Sequence, residues 1–200
     1  MTENDHYFTA HPASPEQRQE VEVELVGRTV TVETAPGIFS PGGLDKGTAV
    51  LLDEVPDPPP SGDFLDIGCG WGPIALSMAF LAPEASVTAV DVNERSLDLT
   101  RWNAERLGCS GIRALAPDEV DESATYDLIW SNPPIRIGKA ALHDLLRLWM
   151  PRLAPGGTAY LVVQRNLGSD SLAGWITKDL GMQCERLASR KGFRVLKVSR

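Results

Sequence analysis

Residues 131–135 read Ser-Asn-Pro-Pro-Ile, directly after the apolar run Tyr-Asp-Leu-Ile-Trp at 126–130. Pro133 forces Asn132 into an extended conformation, and with Pro134 it stiffens the backbone beyond. The Asn132 side-chain oxygen and the Pro133 carbonyl then become two fixed acceptors, which suit a planar –NH2 group. Such an amine is a poor nucleophile, because its lone pair is delocalised into a π system. Two acceptors turn that lone pair outward and stabilise positive charge developing on nitrogen during an in-line displacement. No strong base is required, since the proton can leave afterwards. Taken alone, Asn-Pro is also a common turn dipeptide.

A second constellation is Asp66-Ile-Gly-Cys-Gly-Trp-Gly72 followed by Val90-Asp91-Val92-Asn93. Glycines let a backbone turn sharply and approach a ligand closely, and a helix starting after them offers free N–H groups. The spacing is not that of a pyrophosphate loop: G-x-G-x-x-G would put its third glycine at position 73, where Pro73 stands. Asp91 lies 23 residues after Gly68. At the end of a neighbouring strand, its carboxylate accepts from two ribose hydroxyls and repels a 2′-phosphate. The pair fits a nucleoside without a phosphate chain. The bland reading is a tight strand–helix turn plus an Asp that opens a helix.

The elements that must carry these residues alternate from residue 63 onward. Apolar strands are predicted at Phe64–Ile67, Ser86–Val92, Ile112–Leu115, Asp127–Ser131 and Thr158–Gln164. Helices are predicted at Pro73–Leu81, Glu94–Leu107 with Asn93 as its cap, Lys139–Leu153 kinked near Pro151, and Ser171–Leu180. Gln183–Ala188 and Phe193–Ser199 flank Ser189-Arg-Lys-Gly192 as a closing hairpin. Strand–helix alternation of this kind implies an α/β, doubly wound and mostly parallel sheet, here of seven strands with an antiparallel C-terminal hairpin. Upstream, Val21–Val26 and Arg28–Thr34 form a small β-hairpin and Asp45–Val55 a short helix. We therefore expect an N-terminal appendage at 1–55, a proline-rich connector at 56–62 and the main domain at 63–200.

Composition narrows the class. The chain has 200 residues, 42% hydrophobic and 23% charged, with a net charge of −8. That profile belongs to a globular protein and argues against a generic nucleic-acid binder. The last twenty residues are the exception: six basic groups face only Glu185, a local net of +5. They form either a solvated hairpin face or a surface that meets a phosphate backbone. Three cysteines without a Cys-x-x-Cys pair, and only three histidines, give no metal-ligand cluster. No apolar run reaches the ~18 residues of a membrane span. The polar N-terminus is no signal peptide, so a cytoplasmic location is expected.

Asp66–Gly72 with Asp91 resembles the signature of class I S-adenosylmethionine-dependent methyltransferases. The resemblance implies S-adenosyl-L-methionine as cofactor, with Gly68, Gly70 and Gly72 against its methionine and ribose part. It puts Asp66 near the methionine amino end, Asp91 on the ribose, and Asp118 in Leu115-Ala-Pro-Asp118-Glu119 on the adenine amine. Asn132-Pro133-Pro134 resembles the Asn-Pro-Pro-aromatic motif of amino-group N-methyltransferases and is the expected catalytic unit. Those enzymes act on exocyclic amines of bases or on protein glutamine. The aromatic that stacks on the target is replaced here by Ile135. Phe39 and Phe193 are candidates to cover a base instead, or else core residues.

Thr34–Ser40, Leu44-Asp-Lys-Gly-Thr48, Arg136-Ile-Gly-Lys139 and Gly192-Phe-Arg-Val195 further resemble the "methyltransferase small domain" group. Within it the chain is similar to short, single-domain relatives of enzymes that methylate guanine N2 in bacterial small-subunit ribosomal RNA. The resemblance implies that Gly47 and Thr48 close over the methionine end, and that ribosomal RNA or the small subunit is the partner. Arg136 and Lys139 either clamp phosphates beside an extruded nucleotide, along with Ile135 at the substrate, or are surface charges opening a helix. A protein glutamine N5-methyltransferase and a non-catalytic cofactor- and RNA-binding module are the alternatives.

Overall fold

The computed structural model describes residues 17–134 and 137–200. Strands β1 (Gln19–Leu25) and β2 (Arg28–Thr34) pair antiparallel, and helix α1 covers Lys46–Glu54. The body follows as β3 (Asp63–Ile67), α2 (Pro73–Leu81), β4 (Ser86–Val90), α3 (Glu94–Arg106) and β5 (Ile112–Leu115). Then come β6 (Tyr126–Ser131), α4 (Lys139–Trp149), β7 (Leu153–Gln164), α5 (Ser169–Leu180), β8 (Gln183–Arg190) and β9 (Phe193–Ser199). The main sheet has seven strands in the order β5-β4-β3-β6-β7-β9-β8. Its first five are parallel, and β9 runs antiparallel to both its neighbours, β7 and β8.

Alternation along the buried strands divides the core. Phe64, Val87, Ala89, Leu128 and Trp130 belong to one apolar cluster, with α2 and α3. Leu65, Ile67, Val90 and Ile129 belong to another, with α4 and α5. Successive residues of a strand point to opposite faces, so these are the two faces of a doubly wound sheet. Val23, Leu25, Val32, Val50 and Leu51 join the first cluster, so the hairpin and α1 share their apolar core with the body.

The hairpin is also fastened by polar contacts. The Glu33 N–H donates to Asn103 Oδ1 at 2.7 Å, and Asn103 Nδ2 donates to the carbonyls of Glu33 and Trp71, both at 2.9 Å. Arg95 donates to the Pro36 carbonyl at 2.6 Å and Asn93 Nδ2 to the Gly37 carbonyl at 2.9 Å. Each bond satisfies a buried or half-buried polar group that would be costly to leave unpaired. Together they bring the segment leading to α1 over the loop between β3 and α2.

Strand order reverses between β3 and β6, which makes their carboxyl ends a switch point. Ile67 and Ser131 are register partners there, and Ser131 Oγ donates to the Ile67 carbonyl at 2.7 Å.

Apart from end shifts of one or two residues, as at β4 and α5, the structure differs from the sequence reading in three places. The helix from Lys139 ends at Trp149, and Met150–Arg152 is a 3₁₀ turn around Pro151, which has no N–H to continue it. Strand β7 begins at Leu153 rather than Thr158: Leu153 already pairs with Tyr126, and the ladder resumes at Thr158 after an irregularity. The closing hairpin turns on Lys191–Gly192 alone, because β8 runs on to Arg190.

Val26 and Gly27 close the first hairpin with φ of 46° and 77°. Two positive φ angles match the twist of a two-residue hairpin loop, but a β-branched Val is strained there. Val26→Asn should raise the unfolding free energy by about 1 kcal/mol, read from the urea midpoint. An unchanged or lower midpoint would show that Val26 packing outweighs the strain.

Candidate active site

A cavity of about 600 Å³ opens at the carboxyl ends of the parallel strands. Gly68, Asp91 and Val92 form one wall, and Asn132, Pro133 and Pro134 another. Phe39, Asp45 and Lys46 arrive from the N-terminal segment, and Gln164, Leu167 and Phe193 from the other side.

The glycine loop is shaped by backbone geometry. Gly68, Gly70 and Gly72 have φ of 80°, 58° and 97°, the left-handed region that side chains disfavour. A Cβ on Gly68 would meet nothing within 4 Å, so the space above that glycine is open. The loop is tied to β4: the N–H groups of Gly68 and Cys69 donate to the Val90 carbonyl at 2.8 and 3.0 Å. The Gly70 N–H donates to Asp91 Oδ2 at 3.0 Å, and Asp91 Oδ1 accepts from the Asn93 N–H at 2.9 Å. Burial raises the Asp91 carboxyl above its ordinary range.

Asp66 lies fully buried beneath the loop. Its Oδ2 accepts from the Ala75 N–H, in the first turn of α2, at 3.0 Å. Its Oδ1 has no partner among the described residues. Desolvation, reinforced by the nearby Asp91 charge and partly offset by the Ala75 bond, pushes its pKa up to about 8.

Asn132 sits where the sequence put it, one residue past β6. Its Nδ2 donates to Asp45 Oδ2 at 3.0 Å and to Thr48 Oγ1 at 3.1 Å. A carboxylate accepts only, so the amide has one orientation: the nitrogen faces α1, and Oδ1 is left without a donor among the described residues. Asp45 Oδ2 simultaneously caps α1 by accepting from the N–H groups of Gly47 and Thr48 at 2.7 and 3.2 Å. Gly47 is needed for closeness. A Cβ there would lie 2.9 Å from Asp45 Oδ2, 3.0 Å from Phe193 Cε1 and 3.3 Å from Asn132 Nδ2.

Other expected residues are not brought in. Asp118 stands exposed on the 3₁₀ turn Pro117–Glu119, and Pro117, not Asp118, lines the cavity. Lys139 opens α4 in an exposed position off the cavity wall. Ile135 and Arg136 lie outside the described residues. Phe39 and Phe193 both line the cavity. The basic C-terminal stretch is half neutralised, three of its six cations being ion-paired among the described residues. Arg190 pairs with Asp53 at 3.3 Å and Glu54 at 3.0 Å, Lys197 with Glu185 at 3.0 Å, and Arg194 with Asp170.

Two residues escaped the sequence reading. Asp45 looked only like a helix start, and its second partner is 87 residues away, beyond any local pattern. Gln164 looked like the end of a strand. Among the described residues, no group of three His, Cys, Asp or Glu could hold a metal, and no helix is long and apolar enough to cross a membrane.

The family model for the methyltransferase small domain matches residues 29–197. The chain belongs to that family. It is 30% identical over 200 residues to the uncharacterized protein YbxB of Bacillus subtilis, covering 98% of this chain and 99% of that one. It is 35% identical over 184 residues to ribosomal RNA small subunit methyltransferase C of Pseudomonas entomophila, covering 90% of this chain and 54% of the enzyme. It thus spans about half the length of that enzyme. Among solved structures, the Thermus thermophilus 16S rRNA N2 G1207 methyltransferase, in complex with AdoMet and guanosine, superposes with a TM-score of 0.79 at 24% identity. That match covers 94% of this chain and 52% of the Thermus chain. In this small-domain methyltransferase, then, the cavity lies where the family fold makes its pocket, outside the strand ends at the switch point.

The pH dependence of stability follows from Asp66. Its folded-state pKa of about 8 lies above the ordinary 3.8, so the folded protein holds this proton more tightly than the unfolded chain. The resulting stability is complete below about pH 4 and is lost as pH rises toward 8, at up to about 1.4 kcal/mol per pH unit. Asp66→Asn should flatten that slope in urea titrations of ligand-free protein between pH 5 and 8. Parallel slopes for both proteins would place the Asp66 pKa near its ordinary value.

Proposed function

We propose that this methyltransferase carries a methyl group from S-adenosyl-L-methionine to the exocyclic N2 amine of a guanine in small-subunit ribosomal RNA. The observation that carries the proposal is the Asn132 amide, locked by Asp45 and Thr48 with Oδ1 left to accept. Its position beside the glycine loop supports the same reading, and so does the similarity to ribosomal RNA methyltransferases. When bound, the cofactor supplies an electrophilic sulfonium methyl, which the amine nitrogen takes as sulfur leaves with the bonding pair.

The residues fit that cofactor. The open space above Gly68 admits it closely. Asp91 is held on the cavity wall by the N–H groups of Gly70 and Asn93, where its carboxylate would accept from ribose hydroxyls. Asp66, protonated at neutral pH in the free protein, would ionise beside a cationic ammonium end, its unpartnered Oδ1 then supplying the counter-charge. Val92, Pro117 and Leu145 give an apolar wall for a planar base, without the carboxylate expected at Asp118.

On the target side, Asn132 Oδ1 and the Pro133 carbonyl accept the two amine hydrogens and hold the nitrogen lone pair toward the methyl. As positive charge grows on nitrogen, both acceptors strengthen, which lowers the barrier selectively in the transition state. The spent proton passes to water. Lys46 and Lys139, both exposed and without an ion pair among the described residues, are available to RNA phosphates.

The test is methyl transfer to small ribosomal subunits from cells lacking the protein, with products resolved as nucleosides. Asn132→Ala should lower kcat at least 100-fold while cofactor affinity changes less than threefold. Label recovered in protein rather than in N2-methylguanosine would overturn the guanine assignment. Asp45→Ala should also cut kcat by roughly 100-fold, through a misplaced Asn132. Asp45→Asn keeps an acceptor for all three N–H groups and should retain most activity. Equal activity in Asp45→Ala and wild type would show that Asn132 does not need its anchor.

A further inference from the structure

The residue after Pro134 is where an aromatic would stack on the target, and in this chain it is Ile135. We infer that the stacking face is supplied instead by Phe193, with Gln164 beside it to read the base edge. This subsite rests on the proposed function, because it needs a base as the target.

Four observations converge. Phe193 and Asn132 line the same cavity, and both crowd the missing Cβ of Gly47, at 3.0 and 3.3 Å. The ring and the amide therefore flank one glycine. Second, Gln164 and Phe193 are directly opposite partners in the β7–β9 ladder. Opposite residues of an antiparallel pair point to the same side, with Cβ atoms roughly 5 Å apart. Both line the cavity, so a flat apolar ring stands beside an amide.

Third, the ring's position is fixed. Phe193 begins β9 directly after the tight Lys191–Gly192 turn, and the Arg165 N–H donates to the Gly192 carbonyl at 2.9 Å, extending the ladder past Gln164. The ring packs against the main apolar cluster and remains half-buried. Fourth, the other aromatic on the cavity belongs to a different end. Phe39 also lines the small cleft around Gly68, Gly70 and Trp71, and its carbonyl is the nearest atom to a Cβ on Gly70. It stands over the glycine loop, on the cofactor side.

The Gln164 amide offers an acceptor and a donor at one tip, and has no hydrogen-bond partner among the described residues. Guanine presents N1–H and O6 in a row beside its N2 amine. With the amine on Asn132 and Pro133, N1–H meets the Gln164 carbonyl and O6 meets its –NH2. Adenine and 2-aminopurine lack both the N1–H donor and the O6 acceptor, so they leave that amide unpaired, which is costly in a closed site.

The experiment compares wild type with Phe193→Leu, Phe193→Tyr and Gln164→Ala. Methylation of small subunits from cells lacking the protein gives kcat and KM. Isothermal titration gives cofactor affinity, which reports that each variant is folded. Phe193→Leu should raise KM ten- to hundredfold, the range of a lost base stack, and Phe193→Tyr should return to within threefold of wild type. Cofactor affinity should stay within threefold throughout.

A second measurement uses 2-aminopurine riboside, whose fluorescence falls when it stacks on an aromatic. Wild type saturated with S-adenosylhomocysteine should quench it, and Phe193→Leu should not. Guanosine should displace it from wild type more effectively than from Gln164→Ala. If wild type methylates RNA and Phe193→Leu has the same KM and quenching, the Phe193 assignment is overturned. Equal guanosine preference in Gln164→Ala and wild type overturns the edge reading alone. If wild type quenches the riboside but labels no RNA, the subsite stands and the ribosomal RNA reading falls.

Discussion

One carboxylate oxygen holds the site together. Asp45 Oδ2 accepts from the N–H groups of Gly47 and Thr48 and from Asn132 Nδ2. The first two bonds start a helix, and the third fixes the amide at the end of β6. A helix cap and the orientation of the Asn132 amide are thus one interaction. Asn132 can be rigid only because α1 is rigid, and α1 is held by Val50 and Leu51 in the main apolar cluster. The chain that delivers α1 is in turn stapled to α3 by Asn93, Arg95 and Asn103. The N-terminal segment is therefore part of the machinery. Without it, Asn132 would keep its backbone position at the switch point and lose the partner that decides which way its oxygen points.

Buried charge supplies the second constraint. Asp66 occupies a fully buried position with one oxygen unpaired, an arrangement that costs stability wherever the group is ionised. Its single bond to Ala75 orients α2 but does not offset desolvation, as the rise to about 8 shows. A site that binds a cationic ligand gains from such a group, because the ligand's positive charge stabilises the ionised form. Stability without ligand is traded for electrostatic attraction in its presence.

Much of this was legible in the sequence, for local reasons. Strand–helix alternation, Pro73 and Asn93 at helix starts, and the apolar run before Ser131 each depend on neighbouring residues, and all lie close to where they were expected. Asp66, Gly68, Asp91 and Asn132 were visible as candidates because their places follow from position in a strand–loop–helix unit. What could not be read depends on contacts far apart in the chain. Asp45 meets Asn132 across 87 residues. Gln164 meets Phe193 through an antiparallel register that no local pattern sets. The basic C-terminal stretch looked like a free cationic surface because its acids, Asp53, Glu54 and Asp170, come from other elements. Asp118 lies off the cavity wall for a local reason: Pro117 starts a 3₁₀ turn on which Asp118 is exposed.

The half-paired C-terminus bears on how an acidic protein would meet the RNA of the proposed function. With a net charge of −8 and three of the six C-terminal cations ion-paired among the described residues, long-range attraction to a phosphate backbone is weak. Each phosphate contact contributes about 0.7–0.9 to the salt slope of binding. A few exposed cations such as Lys46, Lys139 and Lys191 therefore give a shallow slope and little non-specific affinity. Under the proposed function, discrimination would come from the base itself: a ring to stack on, an amide to read its edge, and a locked Asn132 to take its amine. These are short-range contacts, made only once the nucleotide is out of its stack. For such a target a weakly attractive surface is an advantage, since a protein of this charge would not linger on RNA that offers no extruded base.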